Sequence, residues 1–113
     1  VCTGVMGNNN DLIGQIIQAG KDSGEKMWQL PLYFEYREQI KSTVADMKNV
    51  GGRAAGSITA AYLIKEFAGN AAWAHLDIAG TSTSNKESGV LVKGATGTPV
   101  RTLVSLAEKL TLD

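Results

Sequence analysis

A single cysteine, Cys2, excludes any disulfide within the chain and fits a reducing compartment. Charge of one sign is equally lacking. Eleven basic and eleven acidic residues cancel, so the balance gives nucleic acid no electrostatic footing. No apolar run approaches the ~20 residues that a helix needs to cross a bilayer. Val1 to Gly7 has neither the charged start nor the long apolar core of a signal peptide. No membrane partner is therefore expected. There is no initiator methionine, and the chain opens in the middle of an apolar pattern, which is expected of a piece of a longer protein. Catalytic signatures are also sparse. No Gly-x-Ser-x-Gly elbow occurs, and Gly56-Ser57 lacks its flanks. Gly89 to Gly94 has the outer spacing of a phosphate loop, but Ala95 stands where the lysine belongs.

What is present is an ordinary folded composition. The 113 residues, 43% of them hydrophobic, suffice for one domain and not for two. A single unit, 1–113, without an internal boundary is expected. Val1 to Met6 is apolar and suits a strand end. Asn8-Asn-Asn-Asp11 reads as a helix start, with an asparagine cap and an acid at the positive end. Leu12, Ile13, Ile16 and Ile17 follow at helical spacing, and Gly24 is a stop, so a helix is expected over 10–22. Met27 to Leu30 reads as a strand broken by Pro31, and Tyr33, Tyr36, Arg37 and Ile40 predict a short helix over 33–42. Ala45 to Val50 alternates weakly and reads as another strand. From Ala54 to Ile64 only Ser57 and Thr59 are polar, which predicts a helix buried all round. Thr98-Pro99 predicts the last helix, with Thr98 as cap, Pro99 at its first position and a buried stripe of Val100, Leu103, Val104, Ala107 and Leu110. Strands and helices alternate, so the class is α/β.

The stretch Trp73-Ala-His-Leu-Asp-Ile-Ala-Gly80 reads as the central strand, over 72–79. Ala74, Leu76 and Ile78 share one face; Trp73, His75, Asp77 and Ala79 share the other. A strand that runs into a polar loop at its carboxyl end is where α/β proteins place sites. His75, the lone histidine, and Asp77 could form a metal pair, but three or four ligands are needed and no second cluster has matching spacing. Hydrogen-bonded structural groups are the plainer reading. Gly94-Ala-Thr-Gly97 before a helix start could hold an anion or be a plain turn. Cys2 is most simply a small buried apolar residue. Spacing alone stops at an incomplete α/β domain.

Six blocks carry a resemblance that goes further. They are Trp28-Gln-Leu-Pro-Leu32, Ala45-Asp-Met-Lys-Asn-Val-Gly-Gly-Arg53, Gly56-Ser-Ile-Thr-Ala-Ala61, Lys65-Glu-Phe67, Trp73-Ala-His-Leu-Asp-Ile-Ala-Gly80 and Lys93-Gly-Ala-Thr-Gly97. In this order they resemble the carboxyl-terminal part of the leucyl (cytosol) aminopeptidase catalytic domain, over essentially the whole chain. The resemblance implies a mixed sheet flanked by helices, the αβα sandwich of zinc exopeptidases. It implies a two-metal exopeptidase that removes amino-terminal residues, often leucine, from peptides. Two divalent ions, zinc or manganese, would activate a bridging water and polarise the scissile carbonyl. The family is typically a cytoplasmic homohexamer. Its metal ligands are a lysine, several aspartates and a glutamate, helped by a second lysine and an arginine. The main block, Asn-Thr-Asp-Ala-Glu-Gly-Arg, lies upstream of the matched part, and no Asp-x-Glu-x-Arg occurs here. The metal and catalytic residues are thus expected outside this chain. By the same resemblance Ala79 lines the pocket for the substrate's first side chain, Val50 the pocket for the second, and Ser82 falls near a residue that closes the first. A non-catalytic structural or binding remnant of the same fold is the alternative.

Overall fold

The computed structural model describes residues 1–112. Its centre is β1 (Thr3–Gly7), a strand whose residues alternate between two cores. β2 (Met27–Gln29) pairs parallel to it, and β3 (Ala74–Asp77) pairs antiparallel on its other side. The order is β2-β1-β3, a mixed sheet. The Trp73–Gly80 stretch therefore supplies an edge strand rather than the central one, because β1 takes the middle place. A two-residue pair, β4 (Thr83–Ser84) with β5 (Gly94–Ala95), lies apart.

Helices cover both faces. On one side α1 (Asn10–Ser23) and α3 (Val100–Leu112) pack beneath Val5, with Ile13, Ile16, Ala19, Met27 and Leu106 buried and Ala74 and Leu76 laid against them. On the other, α2 (Gly56–Lys65) sets Ile58 and Ala61 against Met6, with Leu30, Leu32, Tyr36 and Trp73 closing the cluster. The expected alternation of the β3 stretch holds: Ala74 and Leu76 serve one layer and Trp73 the other. α1 starts and stops as its residues dictate. Asn9 accepts the Leu12 amide at 2.9 Å, and Gly24 closes the helix in the left-handed region at φ 71°.

Elsewhere along the chain the outcomes are mixed. The short helix expected over 33–42 is present as a 3₁₀ helix, Phe34–Ile40. Its i and i+3 side chains eclipse, which suits the stacked rings of Tyr33 and Tyr36 at 6.4 Å. Ala45 to Val50 is no strand. Ser42 Oγ accepts the Val44 and Ala45 amides, Lys48 donates to the Ile40 carbonyl, and no neighbouring strand offers a ladder. α2 buries Ile58, Thr59, Ala61 and Tyr62 but leaves Ile64 48% exposed, so it is covered on one side only. α3 has the expected period and the opposite face. Thr102 and Leu106 are buried, whereas Val100, Leu103, Val104 and Leu110 are about half exposed. Cys2 is exposed rather than buried.

The start of α3 explains its orientation. Pro99 lends its carbonyl to the Leu103 amide, so it precedes the first helical residue instead of being it. Thr98 is not the cap. The Thr102 amide, in the first turn, donates instead to Glu25 Oε2 at 2.9 Å, and the Thr102 hydroxyl donates to the same oxygen at 2.6 Å. Glu25 lies at the entry to β2 and is 6% exposed. This cap from a distant residue turns the Thr102 face of α3 inward, and Lys109 pairs with Asp22 of α1 farther along.

Candidate functional site

β3 ends at Asp77, and the chain then folds into a tight turn. The Ile78 carbonyl accepts the Thr81 amide at 3.0 Å and the Ser82 amide at 2.8 Å. Asp77 Oδ1 accepts the amide of Ala79, two residues on, at 2.9 Å. This is the Asx-turn geometry that aspartate favours at the end of an element. Thr81 holds the far side. Its hydroxyl lies 2.9 Å from the hydroxyl of Thr3 on β1, and its carbonyl accepts the Thr96 hydroxyl at 2.6 Å. The Thr96 amide donates to the Ser82 carbonyl at 2.9 Å. The segment 77–82 is thus tied to β1, to the residue after β5 and to its own strand end.

The turn borders an open cleft of about 230 Å³ lined by Cys2, Gly4, Trp28, Leu30, Ser57, Asp77, Ala79 and Gly80. The sheet register explains its floor. Gly4 pairs with Asp77, and a β-carbon on Gly4 would come within 3.0 Å of Leu30 Cδ1. One wall is apolar (Trp28, Leu30), and Asp77 is the charged group. The Ser57 hydroxyl, from the first turn of α2, and then the Ala79 amide hold the Asp77 carboxyl below the usual carboxylate value. Partial burial opposes them, and His75 adds a smaller electrostatic pull. The Asp77 carboxylate is therefore an acceptor committed to its neighbours.

Of the residues singled out from the sequence, Ala79 lines this cleft. Ser82 sits three residues on in the same turn, half-buried, with its backbone bound on both sides. Val50 is 74% exposed in the segment after the 3₁₀ helix and is not among the cleft residues. His75 and Asp77 gain no third ligand, since no group of three or more His, Cys, Asp or Glu able to hold a metal exists among the described residues. The described residues do not make a metal site. Gly94 and Ala95 form β5, paired with Ser84 and Thr83, rather than a plain turn, and the first turn of α3 is occupied by Glu25.

A second cavity, about 320 Å³, lies on the other side of Gly80 and has Glu25, Arg101, Thr81, Thr96 and Thr98 in its walls. The sequence reading missed Glu25 and Thr102. Partners 77 residues apart leave no local pattern. It also missed the role of Asp77 toward Ala79, for which a signal existed: an aspartate two residues before a turn amide at a strand end.

The fold matches part of the leucine aminopeptidase fold. A tomato leucine aminopeptidase mutant superposes with a TM-score of 0.87 at 38% identity, over 96% of this chain and 21% of that one. The bottromycin maturation enzyme BotP in complex with Mn gives a TM-score of 0.91 at 30% identity, over 97% of this chain and 25% of that one. The profile of the cytosol aminopeptidase family, catalytic domain, matches residues 1–104, and the chain belongs to that family. Probable cytosol aminopeptidases of Alkaliphilus metalliredigens and a Picosynechococcus strain are 50% and 54% identical over 96% and 89% of this chain. The chain spans about a fifth of the length of these curated relatives, 22% and 21%. No helix among the described residues is long and apolar enough to cross a membrane.

Proposed function

We propose that this chain is the carboxyl-terminal part of the catalytic domain of a two-metal leucyl aminopeptidase, which removes leucine and similar residues from the amino termini of peptides. In this reading the segment contributes scaffold and the wall of the substrate pocket. The rest of the protein carries the ligands of two divalent ions, zinc or manganese, and the catalytic groups. The ions would supply Lewis-acid chemistry at the scissile carbonyl. Ala79 bounds the pocket for the first side chain, Ser82 closes it and Val50 bounds the second. A cytoplasmic homohexamer is the proposed assembly, with peptides as substrates.

One observation carries this reading most directly. The residue that the family resemblance assigns to the first pocket, Ala79, stands at the rim of an open cleft, on a turn fixed by hydrogen bonds at the carboxyl end of β3. A small residue there leaves room for a substrate side chain, whereas a large one would fill it. In the complete enzyme Ala79→Leu is expected to raise KM for leucyl substrates by about tenfold or more, the usual range when a pocket is overfilled by a few methylenes. Unchanged kinetics would remove Ala79 from the pocket. A complete protein with no peptidase activity toward any amino-terminal residue, with manganese or zinc supplied, would favour the non-catalytic remnant instead.

A further inference from the structure

We propose that Asp77 is a positioning residue for substrate selection: by accepting the Ala79 amide it fixes the pocket wall at Ala79 and so sets which first side chain the enzyme prefers. This rests on the reading of Ala79 as a pocket wall.

The geometry is specific to that residue. Asp77 is the last residue of β3, paired opposite Gly4 in the middle strand, so its backbone moves with the sheet. Its Oδ1 reaches forward to the Ala79 amide at 2.9 Å. Ala79 itself is exposed, and its methyl has no buried packing to hold it. Gly80, which follows, has nothing within 4 Å of where a β-carbon would stand. Contacts cannot position this stretch; hydrogen bonds must. From Thr81 onward the work falls to Thr3 and Thr96. At Ala79 the side-chain bond available is the one from Asp77. Ser57, on the first turn of α2, lines the same cleft and is the leading influence that holds the Asp77 carboxyl below its usual value. Its place in the lining sets the start of α2 beside the wall. The arrangement touches no reacting group. Loss of the bond would let the wall shift by fractions of an ångström, which alters the fit of a side chain more than the chemistry at the carbonyl.

The test uses the complete enzyme with leucyl and alanyl substrates. Asp77→Ala removes the acceptor. It is expected to raise KM for the leucyl substrate by about tenfold relative to the alanyl one, with kcat for both within about twofold. Asp77→Asn keeps an oxygen that can accept the Ala79 amide, and it should restore the ratio of the two KM values to near that of the parent. Ser57→Ala should move the ratio in the same direction by a smaller factor, about threefold. Should Asp77→Ala fail to fold, Ser57→Ala decides alone, and an unchanged ratio there overturns the proposal. An equal loss of kcat for both substrates with the KM ratio intact would mark Asp77 as merely structural and also overturn it. The parallel variant Ala79→Leu separates the two levels. If it leaves leucyl KM unchanged, the pocket reading itself has failed. If it raises leucyl KM while Asp77→Ala does not, the pocket stands and the positioning role falls.

Discussion

Replacing Glu25 by alanine should cost more stability than any other single polar change in the chain. The carboxylate is 6% exposed and meets the first turn of α3 from the entry to β2. It accepts the Thr102 amide at 2.9 Å and the Thr102 hydroxyl at 2.6 Å, and Arg101 Nε approaches its other oxygen at 3.4 Å. Hydrogen bonds to a charged group are worth about 1.5–3 kcal/mol each. Losing a helix cap costs about 0.5–2 kcal/mol by itself. Glu25→Ala also leaves the Thr102 hydroxyl, 0% exposed, without its acceptor. Against this, the variant no longer desolvates a carboxylate, and Arg101 is half exposed, so its pairing adds little. The net loss should be about 3 kcal/mol, led by the Thr102 bonds. With a urea dependence of about 1–3 kcal/mol per molar, the unfolding midpoint followed by circular dichroism should fall by about 1–3 M. Glu25→Gln keeps one acceptor and should lose about half as much.

The pH dependence provides a second check. Burial pushes the Glu25 carboxyl up, but the Thr102 hydroxyl and amide, together with Arg101, outweigh it and leave the group below its ordinary value of 4.5. The unfolded chain therefore takes up this proton first as pH falls. The stabilisation is complete above pH 4.5 and is lost as pH drops through the lower folded value. The gap between the parent and Glu25→Gln should be constant near neutrality and shrink in acid. A Glu25→Ala protein within about 0.5 kcal/mol of the parent, with the same acid limb, would refute the tertiary cap.

Two further outcomes follow from close packing and from exposure. A β-carbon on Gly7 would lie 2.5 Å from the Trp73 carbonyl oxygen, across the β1–β3 pair; Gly7→Ala should therefore destabilise by about 2–3 kcal/mol in the same urea assay, and a loss under about 0.5 kcal/mol would mean the strands part without cost. Leu103 and Leu110, 48% and 51% exposed on α3, give the chain a sticky face. The double variant Leu103→Glu, Leu110→Glu should reduce concentration-dependent association in sedimentation without lowering the melting temperature, and unchanged association would show that this face is not the contact.

The sequence was most legible where a residue acts on its near neighbours. Asn9 capping Leu12 and Gly24 closing α1 are decisions made within four residues, and both ends came out within a residue of expectation. Alternation through Trp73, Ala74 and Leu76 divided correctly between the two layers because a strand has no other way to dispose of its side chains. Failures arose where the deciding partner is remote. Ala45 to Val50 alternates like a strand, yet a strand exists only where another supplies its ladder, and no described strand lies beside it. The place of the Trp73 stretch at the sheet edge depends on β1, about seventy residues earlier. At the candidate site the same division holds. Asp77 and Ala79 could be linked from spacing alone, but Thr3, Thr81 and Thr96 meet only after the sheet has formed.

α3 is the informative failure. Its apolar stripe is real, with Val100, Leu103, Val104 and Leu110 repeating at helical spacing, and that period predicts a buried face. Yet α3 meets α1 through Thr102 and Leu106, because Glu25 claims the amide and hydroxyl of Thr102 and turns that side inward. A polar cap and one leucine outrank four apolar residues within this segment. Such a pattern is costly unless something covers the stripe, since four half-exposed aliphatic side chains forgo much of the burial free energy they would otherwise supply, about 25 cal/mol per Å². α2 shows the same imbalance at Ile64, and β2 and β3 each leave one edge of the sheet unpaired among the described residues. Two helix faces and two sheet edges thus lack cover among the described residues of a chain that spans about a fifth of its relatives' length, 22% of one of them. The proposed reading accounts for all four together: the hydrophobic pattern belongs to a core larger than these residues can build, and the remainder of the catalytic domain would supply its other half.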